Sequence, residues 1–234
     1  MPPASQERSF FAHLHELRGR LLKVLAALAL CSCVMYAFLD PLLRFLLKPV
    51  GRLVFTSPEE AFNARMMLAV MGGFLLALPY TVFQIWRFVA SALTPQEKKY
   101  VKIFGPLSLC FFIFGVLFGY FVILPVSFNF LLGFASPWMV PMITVDKYIS
   151  FVGTIIFASG VTFELPLIIA FLARIGIATP EFLRQKRRYA IVSILIVSAV
   201  LTPPDMVSQL ILAAPLMVLY ELGIIFSRFM LKRG

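Results

Sequence analysis

The sequence predicts an all-α integral membrane protein. It reads as six transmembrane helices in a curved bundle, with both termini on the cytoplasmic side. Three observations carry that prediction. First, 61% of the 234 residues are apolar and only 14% are charged, whereas soluble domains run about 45–50% apolar and about 25% charged. Second, the apolar residues fall into six runs that are nearly free of charge. Third, the basic residues cluster at alternate ends of those runs. This composition excludes a soluble globular enzyme, a disordered chain, a coiled coil and a collagen-like repeat. At ~20 residues per crossing, the length suits one polytopic membrane domain over residues 1–234 and no second folded domain.

The six runs span residues 21–39, 66–90, 103–132, 149–175, 189–201 and 207–227. Hydrocarbon offers backbone groups no water, so runs of this length must be helices. Strand-like alternation is absent, which argues against a β-barrel. Residues 1–20 read as a cytoplasmic amphipathic helix leading into the first span, with Phe10, Leu14, Leu17 and Leu21 as its apolar stripe. That first span is too long for a signal-peptide core, and Asp40-Pro41 follows it in place of a cleavage site. The next segment alternates Leu42, Leu43, Phe45, Leu46 and Leu47 with Arg44 and Lys48, the pattern of an interfacial amphipathic helix. The fifth run has 13 residues and would rise ~20 Å against ~30 Å of hydrocarbon. Pro79, Pro106, Pro125, Pro166 and Pro215 interrupt the other spans and predict kinks.

Orientation follows from Lys and Arg. With the N-terminus inside, the inner segments collect 16 of the 21 basic residues and the outer ones keep Arg44, Lys48, Arg52, Arg65 and Lys147. That bias places both termini in the cytoplasm. It also accounts for the net charge of +10 without invoking nucleic acid. Cys31, Cys33 and Cys110 lie within apolar runs with no metal or disulfide spacing, and read as buried thiols in helices.

Little catalytic chemistry is present. His13 and His15 are the only histidines and both precede the first span. There is no HExxH and no GxxxxGK[ST] loop. No enzymatic activity, cofactor or metal is predicted. The acidic residues are few enough to weigh singly. Glu16 stands four residues before Arg20, the spacing of a weak surface ion pair. Thr94-Pro95 with Glu97 has the spacing of a capping box. Glu164 lies near the middle of the fourth span, where a carboxylate costs roughly 3 kcal/mol on insertion scales and needs a partner. Asp205 stands in a tight outer turn and can cap the last helix. Gln209 lies just inside that helix, and Glu221 nearer its cytoplasmic end. These residues leave two classes open. One is a small-solute or ion secondary transporter using the intramembrane carboxylate Glu164. The other is a receptor or translocase component that binds other polypeptides. The absence of an internal repeat leans toward the second.

An ordered set of motifs narrows the choice. His13-Leu-His-Glu-Leu-Arg18, Ser150-Phe-Val, Phe163-Glu-Leu-Pro166 and Thr179-Pro-Glu-Phe-Leu-Arg184 occur in succession. Leu201-Thr-Pro-Pro-Asp-Met-Val-Ser-Gln209 follows, then Pro215 and Leu219-Tyr-Glu221. In this order, from about His13 to Phe229, the chain resembles the TatC family, the core receptors of the twin-arginine protein translocase. Ser91 stands where that family usually has proline.

The resemblance implies a glove-like, concave bundle in a bacterial cytoplasmic (inner) membrane, part of an oligomeric complex. It implies the single-span partners TatA and TatB, and export of folded proteins driven by the proton motive force. The cargo would carry twin-arginine signal peptides. Residue by residue, it makes Glu16 and Glu97, with Arg18 of the leading motif, the signal-peptide site. Glu164 becomes the polar residue inside the concavity. Thr202, Asp205 and Gln209 fall in the TatA/TatB docking region. Physical chemistry agrees, since a guanidinium fork matches carboxylates bidentately and lysine does not.

Overall fold

In a computed structural model the chain is almost wholly helical. Residues 4–48, 50, 53–136, 138, 141–177, 179–201 and 206–232 are described. The helices are α1 (Ala4–Tyr36), α2 (Leu39–Leu47), α3 (Pro58–Ser91), α4 (Lys98–Phe118), α5 (Leu124–Leu132), α6 (Val145–Phe163), α7 (Leu165–Arg174), α8 (Pro180–Gln185), α9 (Arg187–Leu201) and α10 (Met206–Lys232). A π-helical turn, Gly119–Ile123, joins α4 to α5. Among the described residues the only extended pairing is one isolated bridge between Val54 and Thr144.

Among the described residues, five stretches are long and apolar enough to cross a membrane: His13–Tyr36, Pro58–Ser91, Lys98–Leu132, Val145–Arg174 and Gln209–Arg228. The apolar helix α9 is shorter, at 15 residues. The chain divides into two compact units, Met1–Lys48 with Phe62–Gly105, and Pro49–Ala61 with Pro106–Gly234.

In the first unit, α1 and α3 touch backbone to backbone at Gly73. A Cβ there would lie 2.6 Å from the Cα of Ser32, so no larger residue fits without moving a helix. Small residues permit such close crossings where no water drives association. Leu39 and Leu46 of α2 are buried, and Asp40 pairs with Arg65 of α3 at 3.5 Å. The amphipathic segment after the first span therefore does form a helix. The amphipathicity of α1 is inverted relative to a soluble protein. Leu14, Leu17 and Leu21 face outward, while the His13 ring meets Phe88 of α3 in a tilted contact, with ring centroids 5.2 Å apart. Apolar side chains are not driven inward when the surroundings are themselves apolar.

In the second unit, α6 and α7 form the interior, with Tyr148, Ile149 and Val152 fully buried. A Cβ on Gly115 of α4 would lie 2.6 Å from the carbonyl oxygen of Ser159, and one on Gly119 would lie 2.7 Å from that residue's hydroxyl. Helix α10 packs against α7 and α9. Two prolines coincide with departures from α-helical geometry. Pro125 follows the π-helical turn, and Pro166 follows the break between α6 and α7. A proline ring crowds the carbonyl four residues back and leaves it without a donor. Pro79, Pro106 and Pro215 lie inside continuous helices.

The cysteines correct one expectation. All three sit in helices, but Cys33 and Cys110 are exposed and Cys31 is half-buried. A thiol is apolar enough to face hydrocarbon, so a helical cysteine in such a chain need not point inward.

Candidate functional site

The predicted site residues fall in separate places, and each unit holds some of them. In the first unit, the polar face of α1 lies along the end of α3. Arg20 reaches back to Glu16 through Nε, 3.1 Å from Oε1, and its NH2 group meets the same oxygen. The i, i+4 spacing on a helix sets this pair. NH1 of Arg20 also donates to Oε1 of Gln84 on α3 at 3.4 Å. Ser91, the last residue of α3, lies beside the Glu16 carboxylate. Arg18 is exposed on α1.

Glu97 lies in the turn that leaves α3 and begins α4. Its Oε2 accepts two hydrogen bonds from Thr94, one from the backbone N–H at 2.9 Å and one from the hydroxyl at 2.7 Å. The expected Thr–Glu pairing exists, with one difference from a capping box. The hydroxyl donates to the carboxylate and does not accept from the Glu97 N–H, which instead bonds the Thr94 carbonyl at 3.0 Å. The Thr94 hydroxyl and then its backbone N–H hold the Glu97 carboxyl below the usual carboxylate range, because both favour the charged form.

In the second unit, Glu164 occupies the break itself, as the residue between α6 and α7. Its N–H bonds the Val161 carbonyl at 3.1 Å, and its own carbonyl accepts from Ile168 at 2.9 Å. The carboxyl interacts with the buried hydroxyl of Ser108 on α4. Its Oε1 is buried with no hydrogen-bond partner among the described residues. A buried acceptor left without a donor is unfavourable.

Gln209 donates from Nε2 to the Leu195 carbonyl of α9 at 3.0 Å, tying the start of α10 to that helix. Thr202 and Asp205 lie outside the described residues. For Glu221 no partner was legible in the sequence. In the structure Arg187 NH2 of α9 meets Oε2 of Glu221 on α10 at 2.5 Å. The available signal was an acidic residue at the end of an apolar run, on the same predicted side as the basic cluster 184–188. Nearby, the Tyr220 hydroxyl donates to the Leu183 carbonyl at 2.9 Å, holding α10 to α8.

Comparison with known proteins decides the lineage. The family model for the Sec-independent protein translocase protein TatC matches residues 12–215. The chain belongs to the TatC family. It is 38% identical to the Sec-independent protein translocase protein TatC of Carboxydothermus hydrogenoformans, over 94% of this chain and 93% of that protein. It is 36% identical to TatC of Escherichia coli (strain K12), over 95% of this chain and 89% of that one. A crystal structure of the twin arginine translocase receptor TatC superposes with a TM-score of 0.83 at 34% identity, covering 93% of this chain and 99% of that one. The all-helical fold with five to six apolar helices is thus that of TatC, and the chain is a membrane protein of the protein translocase family.

Proposed function

We propose that this chain is the signal-peptide receptor of a twin-arginine translocase in a bacterial cytoplasmic membrane. In this reading it is one polytopic domain with both termini inside, supported by the 16-to-5 distribution of basic residues. The observation that carries the proposal is the placement of Glu16 and Glu97 within one unit. Glu16 lies beside Ser91, and the turn that presents Glu97 starts directly after Ser91. Two carboxylates near one helix end suit two adjacent guanidinium groups. Each carboxylate accepts from a planar fork of donors with charge assistance. Arg20 keeps Glu16 oriented but uses only Oε1 for both its contacts, so an incoming arginine approaches the other oxygen. Arg18, exposed on the same helix, selects against peptides that bring only a diffuse positive charge.

TatA and TatB are the proposed partners, docking as single helices near Thr202, Asp205 and Gln209. Interhelical hydrogen bonds in membranes are worth ~1 kcal/mol each. Glu164, with an unsatisfied oxygen, serves a polar group on a partner or on the cargo's signal peptide. Export of folded cargo draws on the proton motive force. The test is binding of a fluorescent twin-arginine signal peptide to the full chain in nanodiscs, beside a twin-lysine peptide of the same sequence. The expected result is at least roughly tenfold weaker binding of the lysine peptide, the loss of about one charge-assisted bidentate contact. Equal affinities would remove the receptor reading.

A further inference from the structure

We propose that the exposed face of α2 binds the phosphate headgroup of an anionic phospholipid. One face of this nine-residue helix is committed to its own unit. Leu39 and Leu46 are buried, and Leu42 lies against Gly72 of α3. The opposite face carries Asp40, Pro41, Arg44, Phe45 and Lys48, which together line an open groove of about 460 Å³. Positions 40, 44 and 48 are successive turns apart, so their charges stand in one line. Asp40, which also lines the groove, has Arg65 as its ion-pair partner at 3.5 Å. Among the described residues Arg44 and Lys48 have no carboxylate partner. With Arg65 beside Asp40, the groove carries an excess of positive charge, and Arg44 and Lys48 are its two unpaired cations among the described ion pairs. Lys48 Nζ sits 5.6 Å from the centre of the Phe45 ring, which is itself exposed.

Position supplies the occupant. Only two residues separate the end of the first apolar helix from the start of α2. A short amphipathic helix there lies at headgroup level, whichever leaflet it meets. A phosphodiester offers two non-bridging oxygens, one for the guanidinium fork and one for the ammonium. The glycerol backbone and first methylenes then cover Pro41 and Phe45. Free phosphate would leave that apolar floor uncovered, and a choline headgroup would bring its own cation toward Arg44 and Lys48. The proposal stands independently of the receptor reading, because no residue is shared.

The test is native mass spectrometry of the full chain from neutral detergent, titrated with dioleoyl phosphatidylglycerol. Dioleoyl phosphatidylcholine and inorganic phosphate run in parallel. The wild type is expected to hold one saturable phosphatidylglycerol adduct and none with the other two. R44Q/K48Q is expected to weaken that adduct roughly tenfold or more, since two charge-assisted contacts are lost. The control R184Q/R188Q, two exposed arginines in the other unit, should retain it. Should the double variant unfold early, R44Q and K48Q singly read the same loss in smaller steps. Unchanged phosphatidylglycerol affinity in the Arg44 and Lys48 variants would overturn the site. Competition by inorganic phosphate at comparable concentration would overturn the lipid as its occupant.

Discussion

The first membrane helix and the α6–α7 pair are both apolar enough to cross a bilayer, and they are used in opposite ways. In the stretch His13–Tyr36 the most apolar window is 0% buried inside the protein, whereas in Val145–Arg174 it is 67% buried. Each carries a carboxylate of interest. Glu16 stands near the start of that first stretch, doubly held by Arg20. Glu164 stands at the break in α6–α7 with one oxygen unanswered. The difference shows how surroundings sort similar groups into different work. A carboxylate at the end of an outward-facing helix keeps water and cations within reach, so it can read charge. Glu164, at the break in a packed pair, is half-buried and meets Ser108 of α4, so its surroundings favour a hydrogen-bonding group over a cation.

Substitutions at Glu164 put the sharpest strain on that contrast. Glu164→Lys forces a cation into a site with no acidic neighbour among the ion pairs of the described residues, and near-complete loss of export is expected. Glu164→Ala removes the hydrogen-bonding group and should impair export strongly, while Glu164→Gln retains it and should be mild. Export of a folded twin-arginine reporter, normalised to the amount of each variant in the membrane, checks this. An Ala variant whose export falls only as far as its abundance would make Glu164 purely structural.

Glu16 and Glu97 should behave differently, through affinity. Glu16→Gln and Glu97→Gln keep shape and remove charge. Each is expected to weaken twin-arginine peptide binding roughly ten- to a hundred-fold, as for loss of a charge-assisted bond. Thermal stability should stay close to wild type, because both groups are partly exposed. Intact binding with a lowered melting temperature would assign them to helix pairing and capping alone.

A smaller effect separates the two regions by packing. Gly115→Ala places a methyl 2.6 Å from the Ser159 carbonyl oxygen, and such overpacking should destabilise the protein by about 1–3 kcal/mol. Around Gly19 of α1, a Cβ would meet nothing within 4 Å. Gly19→Ala should therefore be neutral, or stabilising by up to about 1 kcal/mol through helix propensity. Thermal unfolding in one detergent compares the two. Equal shifts would mean that burial does not divide these helices as described.

Much of this was legible in the sequence wherever the governing contact is local. Apolar run length marked the helices. The i, i+4 spacing marked Glu16–Arg20, and the three-residue spacing marked Thr94–Glu97. What could not be read is set by packing at a distance. Arg187 and Glu221 meet across 34 positions, and hydropathy is blind to which run ends inside. It is blind again to which face of α1 turns inward, since lipid accepts the apolar stripe that a soluble core would claim. The exposed Cys33 and Cys110 follow from the same cause. The π-helical turn and the break at Glu164 were foreshadowed by Pro125 and Pro166. Yet Pro79, Pro106 and Pro215 send the same signal from unbroken helices, so proline alone does not locate a break.

The smallest expected effect is a shift in acid sensitivity at Glu97. Its carboxyl is held below the usual range first by the Thr94 hydroxyl and then by the Thr94 backbone N–H. A depressed folded-state pKa means that the interaction contributes fully above the unfolded pKa. It is lost as pH falls through the folded one. The turn, and any arginine bound to Glu97, should therefore tolerate mild acid better than an ordinary glutamate would allow. Thr94→Val deletes the hydroxyl and leaves the backbone donor, so Glu97 should move partway back toward the ordinary range. At neutral pH both proteins then carry the charge, and their peptide affinities should match. Below about pH 5, near ordinary carboxylate titration, the variant should lose affinity at a higher pH than wild type. Glu16 does not touch Thr94, so its titration is common to both curves and cancels in the comparison. The measurement is peptide affinity against pH for the two proteins side by side. Superimposable acid limbs would mean that Glu97 does not receive the peptide, whatever its bonds to Thr94.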